Sequence, residues 1–194
     1  MSAIPSLFDV FLRAANDLCK DFDQTTLAPL LEADIVGYLY HRLLLANIAM
    51  QDIHLDTRIV GIPRYFDLVI GPVTLGSKAH KAAVSNPQLV AQIKFFPRWG
   101  FTHQQHSVHY QHVVKDDIAS FKALRAKFPG CRCCELLADF HTGDLHGYLR
   151  GEDRSAQSTR IEQVCKLAAK TGVSVVWLHP ESQTQTVSKW WIVE

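Results

Sequence analysis

Apolar and polar positions along the chain follow two different spacings, which together predict four helices and six strands. Apolar residues three or four positions apart predict helices, and short apolar runs rich in β-branched and aromatic residues predict strands. The predicted helices cover residues 5–20, 27–48, 105–128 and 157–171. The predicted strands cover residues 53–60, 65–71, 89–96, 132–140, 173–178 and 187–193. The stretch 71–88 is rich in Gly, Pro, Ser and Lys and is predicted as a surface loop.

The order of these elements predicts the fold class. It runs helix, helix, three strands, helix, strand, helix, two strands. A mixed order of this kind is typical of an α/β protein with a central mixed β-sheet flanked by helices on both faces. We find no repeat, low-complexity tract or long linker, so residues 1–194 are predicted to form a single domain.

Composition narrows the class of protein. An apolar fraction of 47% with 20% charged residues is typical of a globular protein. A net charge of +1 argues against extensive phosphate contacts, although it leaves room for a local basic cleft. No apolar run reaches the roughly 18–20 residues that cross a bilayer, so no membrane span is expected. Five cysteines and no secretory leader predict a cytoplasmic protein.

Two of the predicted strands carry polar residues that a buried strand does not need. Asp67 lies inside the strand 65–71, and Gln92 and Lys94 lie inside the strand 89–96. Charged groups in buried strands are costly unless they are paired or functional. Because side chains alternate along a strand, Gln92 and Lys94 point to the same face. If the two strands are neighbours, an acid, an amide and an ammonium converge, which suits a divalent metal and a phosphate.

The order of these residues resembles the PD-(D/E)xK nuclease superfamily, which has a restriction-endonuclease-like core. The family pattern is a helix with a glutamate, a strand with an aspartate, then a strand with an acid or amide two positions before a lysine. Glu32, Asp67 and the Gln92-Ile93-Lys94 triplet match it, within a resemblance that spans about residues 28 to 140. The chain departs from the pattern in two ways. Pro63 lies four positions before Asp67 rather than next to it, and Gln92 replaces the usual acid.

The resemblance implies a Mg²⁺-dependent or Mn²⁺-dependent endonuclease that hydrolyses phosphodiester bonds in DNA. Asp67 would be the main metal ligand, the Gln92 amide oxygen a second, and Glu32 would complete the shell or orient a metal-bound water. Lys94 would position the attacking water and stabilise the charge that develops on the phosphate. Gln92 carries no charge, so it is expected to hold the ion more weakly than an acid.

Further residues near the predicted site are candidates for contacts with DNA. Arg64 and Arg98 flank it and are predicted to contact phosphates. Some relatives carry Gln-x₃-Tyr on the following helix, and the nearest match here is His106-x₃-Tyr110. Enzymes of this architecture often dimerise to cut both strands, and the apolar C-terminal strand makes a homodimer a possible arrangement.

Two alternatives stay open from the sequence alone. Asp67 and Lys94 could form a buried structural ion pair between neighbouring strands, with Gln92 hydrogen-bonded beside them. Alternatively, the Gln92 replacement marks a catalytically inactive nuclease fold that binds nucleic acid or protein. A separate prediction concerns Cys131, Cys133 and Cys134, which are too clustered for ordinary zinc ligation and are expected to be small buried apolar residues.

Overall fold

The computed structural model describes residues 5–23, 31–74, 83–96, 116–139, 160–179 and 189–193. Within these residues a six-stranded mixed sheet is covered by two helices on each face. The predicted α/β fold with a central mixed sheet is therefore confirmed. Among the residues that the structure covers, no helix has both the length and the apolar character needed to cross a bilayer.

Four helices and eight strands have defined bounds. The helices are α1 (Leu7–Asp23), α2 (Glu32–Leu45), α3 (Ile118–Lys127) and α4 (Arg160–Thr171). The strands are β1 (Ile53–Arg58), β2 (Tyr65–Ile70), β3 (Val73–Thr74), β4 (Ala83–Val84), β5 (Leu89–Phe96), β6 (Arg132–Asp139), β7 (Ser174–His179) and β8 (Lys189–Val193).

The main sheet has the strand order β1-β2-β5-β6-β7-β8. The central pairs β5/β6 and β6/β7 are parallel, and the outer pairs β1/β2, β2/β5 and β7/β8 are antiparallel. A parallel connection needs a long crossover, and the stretches that contain α3 and α4 provide it. The central strands β5 and β6 are thus sheltered from solvent by both neighbouring strands and both helical layers.

Side-chain alternation divides the core into two layers. On β2, Leu68 packs in the layer formed by α1 and α2, whereas Val69 packs in the layer formed by α3 and α4. Phe11 of α1 is fully buried in the first layer, and Phe121 of α3 is fully buried in the second. The ring of Phe121 stacks on Phe66 with centroids 5.7 Å apart. Burial of such rings in a packed core is a main source of the stability of the fold.

The second helix is shorter than the predicted range 27–48. It begins at Glu32, after Leu31 in an extended conformation. The Asp34 carboxylate accepts the Leu31 N–H at 2.9 Å, and the Leu31 carbonyl accepts the Asp34 N–H at 3.0 Å, which caps the first turn. It ends at Leu45, and the left-handed backbone of Asn47, with φ of 64°, prevents its continuation. The first helix, in contrast, extends three residues beyond its predicted end at residue 20.

The prediction of a continuous loop over residues 71–88 is wrong, because β3 and β4 form a small antiparallel hairpin there. Val84 is fully buried, and its carbonyl accepts the Val60 N–H at 2.9 Å. Gly71 precedes this hairpin at φ 155°, where an added Cβ would lie 2.5 Å from the Asn86 carbonyl oxygen. The close approach of the chain at this point therefore requires glycine.

The helix predicted over 105–128 is described from residue 116 onward and forms α3, with the earlier residues outside the described part. The three clustered cysteines are buried as predicted, and none forms a disulfide. Burial raises the pKa of the Cys134 thiol well above its usual range, which keeps it protonated and apolar.

Candidate functional site

Polar residues in the two central strands mark the candidate site. The side chains of β5 and β6 that the structure describes are apolar and buried, apart from Gln92, Lys94, Arg132 and Glu135. Arg132 opens β6, where its guanidinium lies over the Phe8 ring. Gln92, Lys94 and Glu135 all occupy the face of the sheet that packs against α3, because they alternate with residues of the α1/α2 layer. Three polar side chains therefore share one interior face.

Asp67 and Glu32 reach this region where β2 and β5 separate. The paired residues of the two strands end at Leu68 and Ala91. Beyond that point the Asp67 carboxylate accepts the Ile93 N–H at 2.6 Å, and the Glu32 carboxylate accepts the Phe95 N–H at 3.4 Å. The two carboxylates thus satisfy donors of β5 that the sheet leaves open. Glu32 is placed there because it is the first residue of α2.

Lys94 has a different ionic partner from the one considered in the sequence. Its ammonium lies 3.6 Å from the carboxylate of Asp117, the residue before α3, and only 13% of its side chain is exposed. Asp117 is itself buried and also pairs with Arg64. Within the described residues no ion pair joins Lys94 to Asp67, so the proposed structural pair between these two residues is wrong. The reason is the packing of α3, which sets Asp117 against β5.

The protonation of Lys94 reflects these neighbours. Burial acts to lower the pKa of the ammonium, but the nearby carboxyl groups outweigh it and the pKa is raised. The carboxyl groups are those of Asp117, Glu32, Glu135 and Asp67, in order of decreasing effect. The surrounding carboxyl groups therefore keep Lys94 cationic at neutral pH.

Glu135 is the functional candidate that sequence reasoning missed. It lies directly beside Gln92 in the parallel pairing of β5 and β6. Glu135 has no exposed surface and Gln92 has 6%. In the described part of the chain, both Glu135 carboxyl oxygens and the Gln92 amide oxygen lack a hydrogen-bond partner. The sequence does contain the signal: Glu135, like Asp67, is an acid inside a predicted apolar strand.

Burial sets the electrostatics of the acids. It raises the pKa of Glu32, Asp67 and Glu135, and neighbouring carboxylates add to the effect. Four carboxyl groups, those of these residues and of Asp117, face two cations, Lys94 and Arg64. Ionisation of all four would leave an excess of negative charge in a poorly solvated region. In the absence of a bound cation, such a site attracts cations and repels anions.

Glu135→Gln is expected to stabilise the metal-free protein at alkaline pH. Because folding raises the pKa of Glu135, the folded protein retains a proton that the unfolded chain releases above about pH 4. The stability associated with this group is complete below that pH and is lost as pH rises through the folded pKa. We expect the variant to gain about 1–3 kcal/mol in the free energy of unfolding near pH 8, and about zero near pH 4. Urea unfolding with a chelator measures this, and a gain that is equal at both pH values would contradict it.

The other predicted residues lie at the margin of this cluster or outside the described part. The Arg64 guanidinium is held by Asp117 and by Ser120 Oγ, the latter at 2.9 Å. An open depression of about 470 Å³ lies beside it, lined by Arg64, Asp116, Ala119 and Ser120. Arg98, His106 and Tyr110 lie outside the described residues, so their predicted DNA contacts stay predictions.

The acids of the cluster do not form a ready-made metal site. No group of three or more His, Cys, Asp or Glu side chains in the described ranges is arranged to hold a metal ion. Magnesium commonly keeps several waters and takes only one or two carboxylates from the protein, so such a group is not required. The unpartnered oxygens of Gln92 and Glu135 are donors of the type that this ion prefers.

Comparisons with known proteins do not assign an activity to the chain. Neither protein-family models nor curated proteins give a match to it. Among solved structures it is similar to that of Pyrococcus furiosus SfsA in complex with Ca²⁺, with a TM-score of 0.33 and 11% sequence identity. The matched region covers 82% of this chain and 61% of the length of that protein. This likeness is too weak to carry a functional argument.

Proposed function

We propose that this protein is a metal-dependent DNA endonuclease of the PD-(D/E)xK type. The observation that carries the proposal is the approach of the Glu32 and Asp67 carboxylates to β5, the strand that carries Gln92 and Lys94, around the point where β2 leaves β5. A packed sheet gains no stability from desolvated acids, so their collection at one place favours a functional role.

The donor set fits a hard divalent cation, Mg²⁺ or Mn²⁺. Asp67 and Glu32 offer carboxylates, and Gln92 offers an amide oxygen that has no hydrogen-bond partner among the described residues. When bound, such an ion supplies Lewis-acid stabilisation of the phosphate and lowers the pKa of a coordinated water. The desolvated acids stand to gain from that charge, since burial alone raises their pKa values.

The residues of the chain would divide the remaining work. Lys94 would stabilise negative charge on the phosphate, and Asp117 would hold its ammonium in position. Asp67 and Glu32 would bind the cation, and the backbone N–H groups of β5 would hold both carboxylates in place. Arg64 beside the open depression would offer a second cation to the DNA backbone. A homodimer would supply two such sites for the two strands of a duplex.

A second candidate function is a catalytically inactive module that binds nucleic acid or protein on the same fold. The neutral Gln92 at the position of the usual acid favours it. Such a protein would hold the cation weakly, and it would bind nucleic acid or protein without hydrolysing a phosphodiester bond.

Incubation of the purified protein with supercoiled plasmid tests the proposal. We expect nicked and linear DNA to appear with Mg²⁺ or Mn²⁺ and not with chelator, because the phosphate cannot approach an acidic site without a cation. A gel-shift measurement on the same preparations separates the alternatives. Binding without cleavage under every metal condition would favour the inactive module, and neither binding nor cleavage would overturn both.

A further inference from the structure

The neighbourhood of Gln92 contains a carboxylate that the family pattern does not place there. In the parallel pairing of β5 and β6, Gln92 and Glu135 are Cα partners. Both side chains point to the α3 face, because Val90 and Cys133, two positions earlier on each strand, pack in that layer. An acid therefore stands next to the position that lacks one.

Among the residues that the structure describes, Glu135 has no hydrogen-bond partner that would account for its burial. It is fully buried, and in the described part of the protein neither of its carboxyl oxygens meets a hydrogen-bond donor. Lys94 forms its ion pair with Asp117 instead. The large majority of buried side-chain polar atoms in proteins are hydrogen-bonded, and an exception calls for an explanation such as a bound ion or water. The amide oxygen of Gln92, a residue only 6% exposed, likewise has no partner within the described ranges.

The unpartnered atoms are of one chemical kind. Two carboxyl oxygens of Glu135 and one amide oxygen of Gln92 are all hard donors. A hydrophobic side chain would fill this interior position at lower cost, and a water would satisfy few of the lone pairs. A divalent cation satisfies several oxygens at once and also compensates the carboxylate charge.

We propose that Glu135 is a ligand of the divalent cation and supplies, from the neighbouring strand, the carboxylate that residue 92 lacks. The site would then hold Asp67 and Glu135 as charged ligands, with the Gln92 amide oxygen between them. This inference rests on the proposed function and names a residue that the matched motif does not contain. It also accounts for a glutamine at position 92, since a further acid there would add an uncompensated charge next to Glu135.

Calorimetric titration with Mn²⁺, without DNA, tests the ligand role. Loss of residues that only support a metal ligand already weakens affinity by about 10–100-fold, so Glu135→Gln is expected to weaken Mn²⁺ binding at least about tenfold. The relocation variant, which combines Gln92→Glu with Glu135→Gln, conserves charge and volume and moves the carboxylate back to β5. We expect it to recover most of the lost affinity. Asp17→Asn on α1, where the side chain is 40% exposed, serves as a control for the loss of a carboxylate charge and should bind as the unmodified protein does.

Each outcome bears on a different claim. Unchanged Mn²⁺ affinity in Glu135→Gln, together with loss of binding in Asp67→Asn, would overturn the role of Glu135 and leave the proposed function intact. A relocation variant that binds no better than Glu135→Gln would also overturn it. A Glu135→Gln protein that does not fold would assign the residue to the structure of the sheet. If the unmodified protein binds no Mn²⁺, the proposed function itself fails.

Discussion

Replacing Asp67 by asparagine is expected to reduce the rate of Mg²⁺-dependent DNA cleavage by about a thousandfold or more. The carboxylate is the main proposed ligand, and it lies where β2 separates from β5. Asparagine keeps an oxygen that can accept the Ile93 N–H, so the local backbone contact is preserved while the charge is lost. Cleavage rates on plasmid DNA at saturating Mg²⁺ measure the effect.

The fold of this variant is expected to be intact. Because burial raises the pKa of Asp67, the folded protein disfavours its charge, and removal of that charge should not lower stability at neutral pH. The matched control is Asp17→Asn, which exchanges the same groups on the exposed side of α1. Cleavage by Asp67→Asn at the rate of Asp17→Asn would remove the site assignment.

Replacing Asp117 by alanine is expected to lower the free energy of unfolding by about 3 kcal/mol. Asp117 is 1% exposed and pairs with both Arg64 and Lys94. Its removal leaves Lys94, only 13% exposed, without the carboxylate closest to it. Other acids near Lys94 compensate in part, which places the effect at the lower end of the range for a broken buried pair. Urea unfolding at neutral pH measures it.

The neighbouring residue provides the control for Asp117→Ala. Asp116 has the same side chain one position earlier, but it is exposed, so Asp116→Ala should cost less than about 1 kcal/mol. Equal losses for the two variants would show that the effect comes from the start of α3 and not from the buried charges. A cleavage assay adds information, because Asp117→Ala should also release Lys94 from its position and reduce the rate.

These variants probe different parts of one arrangement. Asp67 tests the cation, Asp117 tests the orientation of Lys94, and Glu135 tests whether the neighbouring strand contributes a ligand. A protein that loses cleavage in Asp67→Asn and keeps stability would fit the endonuclease proposal. If Asp117→Ala lowers stability but the unmodified protein cleaves no DNA, the residues would instead form a buried charge network in a binding module.

Local patterns in the chain were enough to predict most elements and four members of the cluster. The period of apolar residues depends on neighbours a few positions apart, and it therefore predicted the strands around Asp67 and Lys94 correctly. The polar exceptions within those strands identified the candidate site for the same reason. Local patterns failed at the ends of α2 and in the β3–β4 hairpin, where capping by Asp34 and contact with Val60 set the outcome.

The partners of those residues, by contrast, depend on strand order and on helix packing. Nothing near Gln92 in the chain indicates that Glu135 will stand beside it, because the register of β5 and β6 follows from the whole sheet. Nor does the pattern around Lys94 indicate Asp117, which the packing of α3 brings to it. Side-chain periodicity is a short-range property and was readable from the residues. The pairing of charged groups is a long-range property, and the folded chain alone determines it.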